Sequence, residues 1–404
     1  MAATVLCAGL FFLTAQPADL SAAAPGAASD APPAASGGAS DGTSPLDLSG
    51  RASSWLSAND SPSLALGFGL RYIPSLDLSL GLSPALRLDA EASVNASFSG
   101  SAAGGAATAT DARLKLYRAW ARLSSTRFEA RLGLQKINFG SAAMLRPLMW
   151  FDRLDPRDPL QLTDGVRGLL VRYYFPGNAN AWAWALWGND EPKGWEASPT
   201  ARRTAELGGR LQVPLFKGEL GLTYHRRRAD LGRGLAATPA LAGAAAAEDR
   251  WALDGKWDIA AGAGFWAEGT VIRQRHGALA FPYQRFLAAG ADTTLPLGNG
   301  VHLLAEHLRF DAARGAFAGG EGRDLTAVSA STSLGLLDRL SVMLFTDWRG
   351  RNVFSFLSWQ RAYDDWLIHL IGFWNPETGG VLPAAPGQSS FSGKGLMLVV
   401  VFNH

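Results

Sequence analysis

The chain has 404 residues and carries 37 Lys and Arg against 35 Asp and Glu, a formal net charge of +2. That balance excludes both the basic footprint of a nucleic-acid binder and an acidic solvating tail. Charged residues make up 18%, with Gly 46, Trp 14 and Phe 20, whereas a soluble protein carries about a quarter charged residues. The one cysteine, Cys7, excludes a disulfide framework and a thiolate metal site and suits a protein that crosses an oxidising periplasm.

At the N-terminus an apolar run from Val5 to Ala15 is too short to span a bilayer as a helix but matches a secretory signal, expected over residues 1–20. No Lys or Arg precedes Arg51, a departure from the usual charged start of such a signal. Residues 21–45 are rich in Ala, Pro, Ser and Gly. They cannot bury a core, and a disordered linker is expected there.

From residue 46 to 404 no window reads as a transmembrane helix, and period-two alternation takes over. "SLALGFGLRY" puts Leu64, Leu66, Phe68, Leu70 and Tyr72 on one face, with Ala65, Gly67, Gly69 and Arg71 on the other. "LRLDAEASVNASF" sets Leu88, Ala90, Ala92, Val94 and Phe98 against Arg87, Asp89, Glu91 and Asn95. "RWALDGKWD" sets Trp251, Leu253 and Trp257 against Asp254, Lys256 and Asp258. Successive strand side chains point to opposite faces, so each segment has one apolar and one polar side.

About 18 such strands are expected. Short connections (82–85, 124–126, 176–179, 216–218, 297–300 and the region of Asp338) alternate with long ones (100–110, 140–163, 190–202, 230–248, 312–322 and 376–391). The predicted fold is therefore all-β, a transmembrane antiparallel up-and-down barrel of 16–18 strands with short periplasmic turns and long outer loops. Trp182, Trp184, Trp187, Trp251, Trp257, Trp348, Trp359, Trp366 and Trp374 are expected to form the interfacial aromatic belts.

Between Leu114 and Glu191 the chain reads "RFEARLGLQKINFGSA" and then "LRPLMWFDRLDPRDPLQLTDGVRGLLVRYYF". This segment resembles Gram-negative outer-membrane porins and alginate-export-type barrels, in which a G-x-Q-x-x-x-x-G strand precedes a loop rich in Asp and Pro. Here those positions are Gly133, Gln135 and Gly140. The resemblance implies a water-filled channel for passive diffusion of small hydrophilic solutes, in the outer membrane of a Gram-negative bacterium. No cofactor and no catalytic or metal site is expected. The expected partners are outer-membrane lipids, lipopolysaccharide, the barrel assembly machinery, small solutes and further copies of the barrel. The C-terminus departs from the usual pattern, because Phe402 is followed by Asn403 and His404.

The segment 140–163 joins the fifth and sixth strands, and in porins the loop at that position folds inward and narrows the lumen. Pro147, Pro156 and Pro159 stiffen it, and Met144, Leu145, Leu148, Met149 and Trp150 need a wall to pack against. The alternative is a rigid cap over the mouth. For a constriction, Asp152, Asp155, Asp158 and Asp164, with Arg153 and Arg157, form the loop side. Arg87, Arg118, Arg122, Arg131, Arg172 and Glu129 form the wall side, with a β-bulge expected near Tyr117. All but six of the basic residues are arginine, the side chain suited to carboxylates and phosphates.

Catalysis finds little support. "HLLAEH" (302–307) has the wrong spacing for a zinc-protease motif, and on a strand its two histidines point to opposite sides. No histidine has a close acidic neighbour along its own face, apart from a weak pairing of His302 with Glu306, and no G-x-S-x-G elbow occurs. Two rivals to a diffusion channel remain: an export or assembly barrel for a polysaccharide, and a surface enzyme or adhesin.

Overall fold

The computed structural model describes residues 45–60, 64–103, 106–234, 241–259, 262–377 and 391–404. Residues 1–44, which hold the expected signal and nearly all of the expected linker, lie outside these. The barrel begins with four long strands, β1 (Leu46–Asp60), β2 (Leu64–Ser83), β3 (Leu86–Ala103) and β4 (Ala106–Ser125). Next come β5 (Phe128–Gln135), β6 (Val166–Tyr174), β7 (Asn180–Trp187), β8 (Ala205–Leu215) and β9 (Gly218–Asp230). A single helical turn, α1 (Leu231–Gly234), leads to β10 (Ala245–Asp258), β11 (Gly264–Arg275), β12 (Tyr283–Leu295) and β13 (Val301–Ala313). The last are β14 (Gly320–Ser333), β15 (Asp338–Asp347), β16 (Asn352–Ala362), β17 (Trp366–Trp374) and β18 (Lys394–Asn403).

Each strand pairs antiparallel with its neighbours in sequence, and β1 pairs with both β2 and β18, which closes the 18-stranded sheet. Closure leaves no unpaired edge, the condition for strands to cross a bilayer. The seam ends with Gly50 and His404 exchanging backbone hydrogen bonds of 2.9 and 3.0 Å. His404 stacks on Phe402 and Tyr72, with ring centroids 6.0 and 5.9 Å apart. An aromatic cluster thus finishes the barrel although the last residue is not Phe.

The alternation in sequence becomes an inside and an outside. Leu66, Phe68, Leu70, Leu222, Leu253, Leu287, Leu396 and Leu398 are exposed on the outer surface, as lipid contact requires. The opposite parity carries Asp89, Glu129, Arg131, Arg172, Arg210, Asp254, Glu268 and Glu306, all buried inside. The expected bulge occurs: between Ser93 and Val94 the partner register jumps from Arg118 to Leu116, which restores the outward direction of Leu114 and Leu116.

Two expectations are corrected. Residues 100–110 are not a long loop, because β3 and β4 run to Ala103 and from Ala106 in paired register. Small residues there carry no strand signal, yet they fit a tight two-stranded extension. Trp187, Trp251, Trp348, Trp366 and Trp374 are exposed, but Trp182 and Trp184 belong to no belt. They lie on the inward parity of β7 and pack against Phe139, at 6.4 and 5.9 Å between ring centroids.

Candidate channel constriction

Residues 136–165, between β5 and β6, cross the lumen. The turn inward uses Gly140, whose φ is +98°, a region that side-chain-bearing residues avoid. A Cβ on Gly140 would lie 2.6 Å from Glu268 Oε1, so glycine also permits the close approach to the far wall. There Ser141 and Ala142 donate their backbone N–H groups to Glu268 on β11, the latter at 2.7 Å. Ala143, Met144 and Leu145 donate theirs to Glu306 on β13 at 2.5, 2.8 and 2.6 Å. Five consecutive amides are thus held by two wall carboxylates, and Glu306 also receives the Trp266 indole N–H at 2.9 Å.

Beyond this anchor the apolar cluster finds its wall. Met144 and Leu145 pack with Leu325, Phe345, Phe354 and Phe356, inward residues of β14–β16. Leu148, Trp150 and Phe151 pack with Val166, Leu170, Trp184 and Leu186 of β6 and β7. Dispersion and water exclusion over both clusters fix the loop inside the barrel, so the inward alternative holds and the cap does not.

The two Asp–Pro steps are turns closed by their own carboxylates. Asp155 accepts the Arg157 backbone N–H at 2.9 Å and its guanidinium at 2.8 and 2.6 Å. Asp158 accepts the amides of Leu160 at 3.0 Å and Leu162 at 3.4 Å. Burial raises the Asp158 pKa above the ordinary carboxylate range, opposed by those amides and by the charge of Arg71.

The expected site residues do not form two facing rows. Asp152 is buried and paired with Arg146 at 3.1 Å, and the Asp155–Arg157 pair is buried with the Arg157 guanidinium over Phe356 and Phe391. Arg153 donates to the Pro192 carbonyl at 2.6 Å. On the wall, Arg131 and Glu129 are buried together, 3.0 Å apart, and the Arg172 guanidinium lies 3.9 Å from the Trp182 ring centre. Arg118 is buried as well: it donates to the Thr163 carbonyl at 3.0 Å and so clasps the returning end of the loop. The loop thus covers Arg118, whereas Arg131 is covered by Trp120 of β4 and Arg172 by Trp182 of β7, neighbours across the strands. Arg87 stays open and Arg122 keeps partial exposure, both bound to Asp89, at 2.7 and 2.9 Å, and Asp164 is open with Lys115 at 2.9 Å.

The open space lies against β2–β4. A cavity of about 700 Å³ is lined by Arg71, Arg113, Lys115, Arg153, Arg167 and Lys193 together with Asp152, Asp164, Asp190 and Glu191. Arg71, Arg113 and Lys115 were not singled out from sequence as site residues. The available signal was Arg71 standing alone among the small residues of its face. A second inward loop, 188–204, was also missed as such. Its Glu196 accepts from Arg250 at 2.6 Å and from Arg227 at 3.0 Å. Its Trp195 packs on Phe286 and Phe310 and donates to the Arg146 carbonyl at 2.9 Å. The second loop therefore clamps the first. Lys193, buried within it, has its pKa lowered by desolvation.

The histidine reading from sequence is corrected too. His225 lies 3.2 Å from Glu206, and His302 lies 3.2 Å from Asp292, because cross-strand register brings together residues distant in sequence. His225 is sealed by Trp184, Trp150 and Phe151, which leaves a substrate no approach.

A closed, lipid-facing barrel of 18 strands whose third outer connection, between β5 and β6, folds inward has the architecture of Gram-negative outer-membrane porins. No protein-family model matches the sequence, and no curated protein matches it. Among solved structures, Pseudomonas aeruginosa OccK5 (OpdH) is similar over 89% of this chain and 97% of its own, at TM-score 0.54 and 13% identity. Pseudomonas aeruginosa OccK7 (OpdD) is similar over 89% and 99%, at TM-score 0.53 and 11% identity. Escherichia coli Wzi, a carbohydrate-binding β-barrel involved in group 1 capsule assembly, is similar over 87% and 84%, at TM-score 0.50 and 12% identity.

Proposed function

We propose that this chain is an outer-membrane porin that passes small hydrophilic solutes by diffusion through an off-centre passage against β2–β4. The observation that carries this reading is the transverse anchoring of residues 141–145 to Glu268 and Glu306, which fills one side of the lumen and leaves the cavity on the other. The channel-lining residues are then Arg71, Arg113 and Lys115 on the wall and Asp164 on the loop, with Asp158 behind them acting through its charge on Arg71, and Arg87 and Arg122 lower down. Opposed charges across a narrow, weakly screened gap orient dipolar solutes and disfavour apolar ones. The surplus of basic over acidic groups around the cavity supports a modest anion preference. No chemical step is involved.

Planar-bilayer recording of the folded barrel tests this directly. Discrete ohmic steps and a reversal potential displaced toward anions under a salt gradient are expected, and a barrel that never conducts overturns the reading. The likeness to a carbohydrate-binding barrel keeps a polysaccharide channel as the second reading. It predicts saturable block of the current by long oligosaccharides, whereas the diffusion reading predicts none.

A further inference from the structure

The outward face of β9–β11 carries charges that the passage does not use. Register aligns Arg228, Ala247 and Arg275 in one cross-strand row and Arg226, Asp249 and Arg273 in the next. Just below them, toward the short-turn end, come Tyr224 and Trp251, then Leu222 and Leu253, all exposed outward. Asp249 is engaged by the Arg275 guanidinium and by the Tyr224 hydroxyl at 2.7 Å, with Arg226 Nε 3.9 Å away. One carboxylate thus stands among four arginines. Among the described residues no carboxylate pairs with Arg228 or Arg273, and both are exposed. The unpaired cations are local: on the adjoining outward face of β12–β14 Arg285 is paired with Asp311 and Arg309 with Asp324, and at the outer end of β2 the outward face offers Leu64, Leu66 and Phe68.

We infer that this patch binds the phosphate groups of an anionic lipid of the outer leaflet, a phosphorylated glycolipid of the lipopolysaccharide class. Aromatic side chains mark the level where hydrocarbon meets headgroups, and the arginine rows stand immediately outside it, at phosphate depth. Guanidinium groups meet phosphate oxygens with two parallel hydrogen bonds, and Leu222 and Leu253 below offer the acyl chains an apolar track. A surplus of exposed positive charge next to an apolar band fits an anionic amphiphile, whereas a soluble anion would gain nothing from the band. The inference rests on the barrel lying in an outer membrane, and it is independent of what passes through the lumen.

The test titrates the full folded protein in neutral detergent with purified phosphorylated lipopolysaccharide, with the same lipid after dephosphorylation, and with inorganic phosphate. Binding is read by native mass spectrometry. The wild type is expected to retain the phosphorylated lipid, and R228Q/R273Q to bind it roughly tenfold or more weakly. Single-channel conductance should be unchanged in that variant. Equal binding by the double variant, equal binding of the dephosphorylated lipid, or inorganic phosphate held as tightly as the lipid would each overturn the site. If the double variant does not fold, R273Q alone carries the same comparison. Failure of the channel reading shows separately, as a wild-type barrel that binds lipid and does not conduct.

Discussion

Glu306 on β13 accepts the backbone N–H of Leu145 at 2.6 Å across 161 positions of sequence, and this bond joins the middle of the inward loop to the far wall. Glu306 also receives the amides of Ala143 and Met144 and the indole of Trp266. Hydrogen bonds to a charged group contribute roughly 1.5–3 kcal/mol each, and a buried amide left without a partner costs about 1–3 kcal/mol. E306A is therefore expected to lose about 3 kcal/mol or more of stability in urea titrations, with a raised and noisier single-channel current. E306Q, which keeps an acceptor oxygen, should fall in between. Unchanged current in E306A would mean that the loop does not limit the passage.

Charge reversal should separate lining residues from sealed ones. R71E and K115E are expected to move the reversal potential toward cations at near-normal stability, because Lys115 is half exposed and Arg71 lines the cavity. R131E and R172E should instead destabilise by about 3–5 kcal/mol, since the first leaves buried Glu129 without its partner and the second buries a carboxylate against the face of Trp182, and selectivity of whatever folds should stay as in the wild type. Urea midpoints and reversal potentials measured on the same four proteins decide between the two outcomes.

Asp158 gives the passage a pH dependence. Its pKa is raised by burial, so it protonates at a higher pH than an ordinary carboxylate, and the loop loses a negative charge opposite Arg71. Anion preference should therefore grow as pH falls through that raised pKa, and D158N should abolish the change. The linkage sign is that of a raised acid. Its stabilising contribution is complete below the unfolded pKa and is lost as pH rises through the folded pKa. D158N is accordingly expected to be no less stable than the wild type at pH 7 and relatively less stable in acid. A wild-type reversal potential flat from pH 7 to pH 4 would contradict this.

Orientation can be checked by labelling. Arg202 in the second inward loop is largely exposed, and Gly319 has open space around it, both on the long-loop side. R202C and G319C should react with an impermeant thiol reagent on intact cells, and S125C, at the opposite end of β4, should not. Labelling of S125C alone would invert the barrel.

The alternation of Leu64 to Tyr72 with Ala65 to Arg71 was enough to read a lipid-facing strand, because side-chain direction in a strand depends only on parity and needs no knowledge of the neighbour. The strand count, the bulge near Tyr117 and the position of the loop between the fifth and sixth strands follow from the same local rule. Which charges face water did not follow. Arg118, Arg122, Arg131 and Arg172 share one inward face, yet only Arg122 keeps partial exposure, because Arg131 and Arg172 lie under Trp120 and Trp182 of neighbouring strands and Arg118 is covered where residues 136–165 come to rest. That place is set by contacts such as Ala142 to Glu268 and Leu145 to Phe354, between positions more than a hundred residues apart. Side-chain parity is local and was written in the sequence; the path of the open lumen is set by long-range packing, and only the closed barrel determined it.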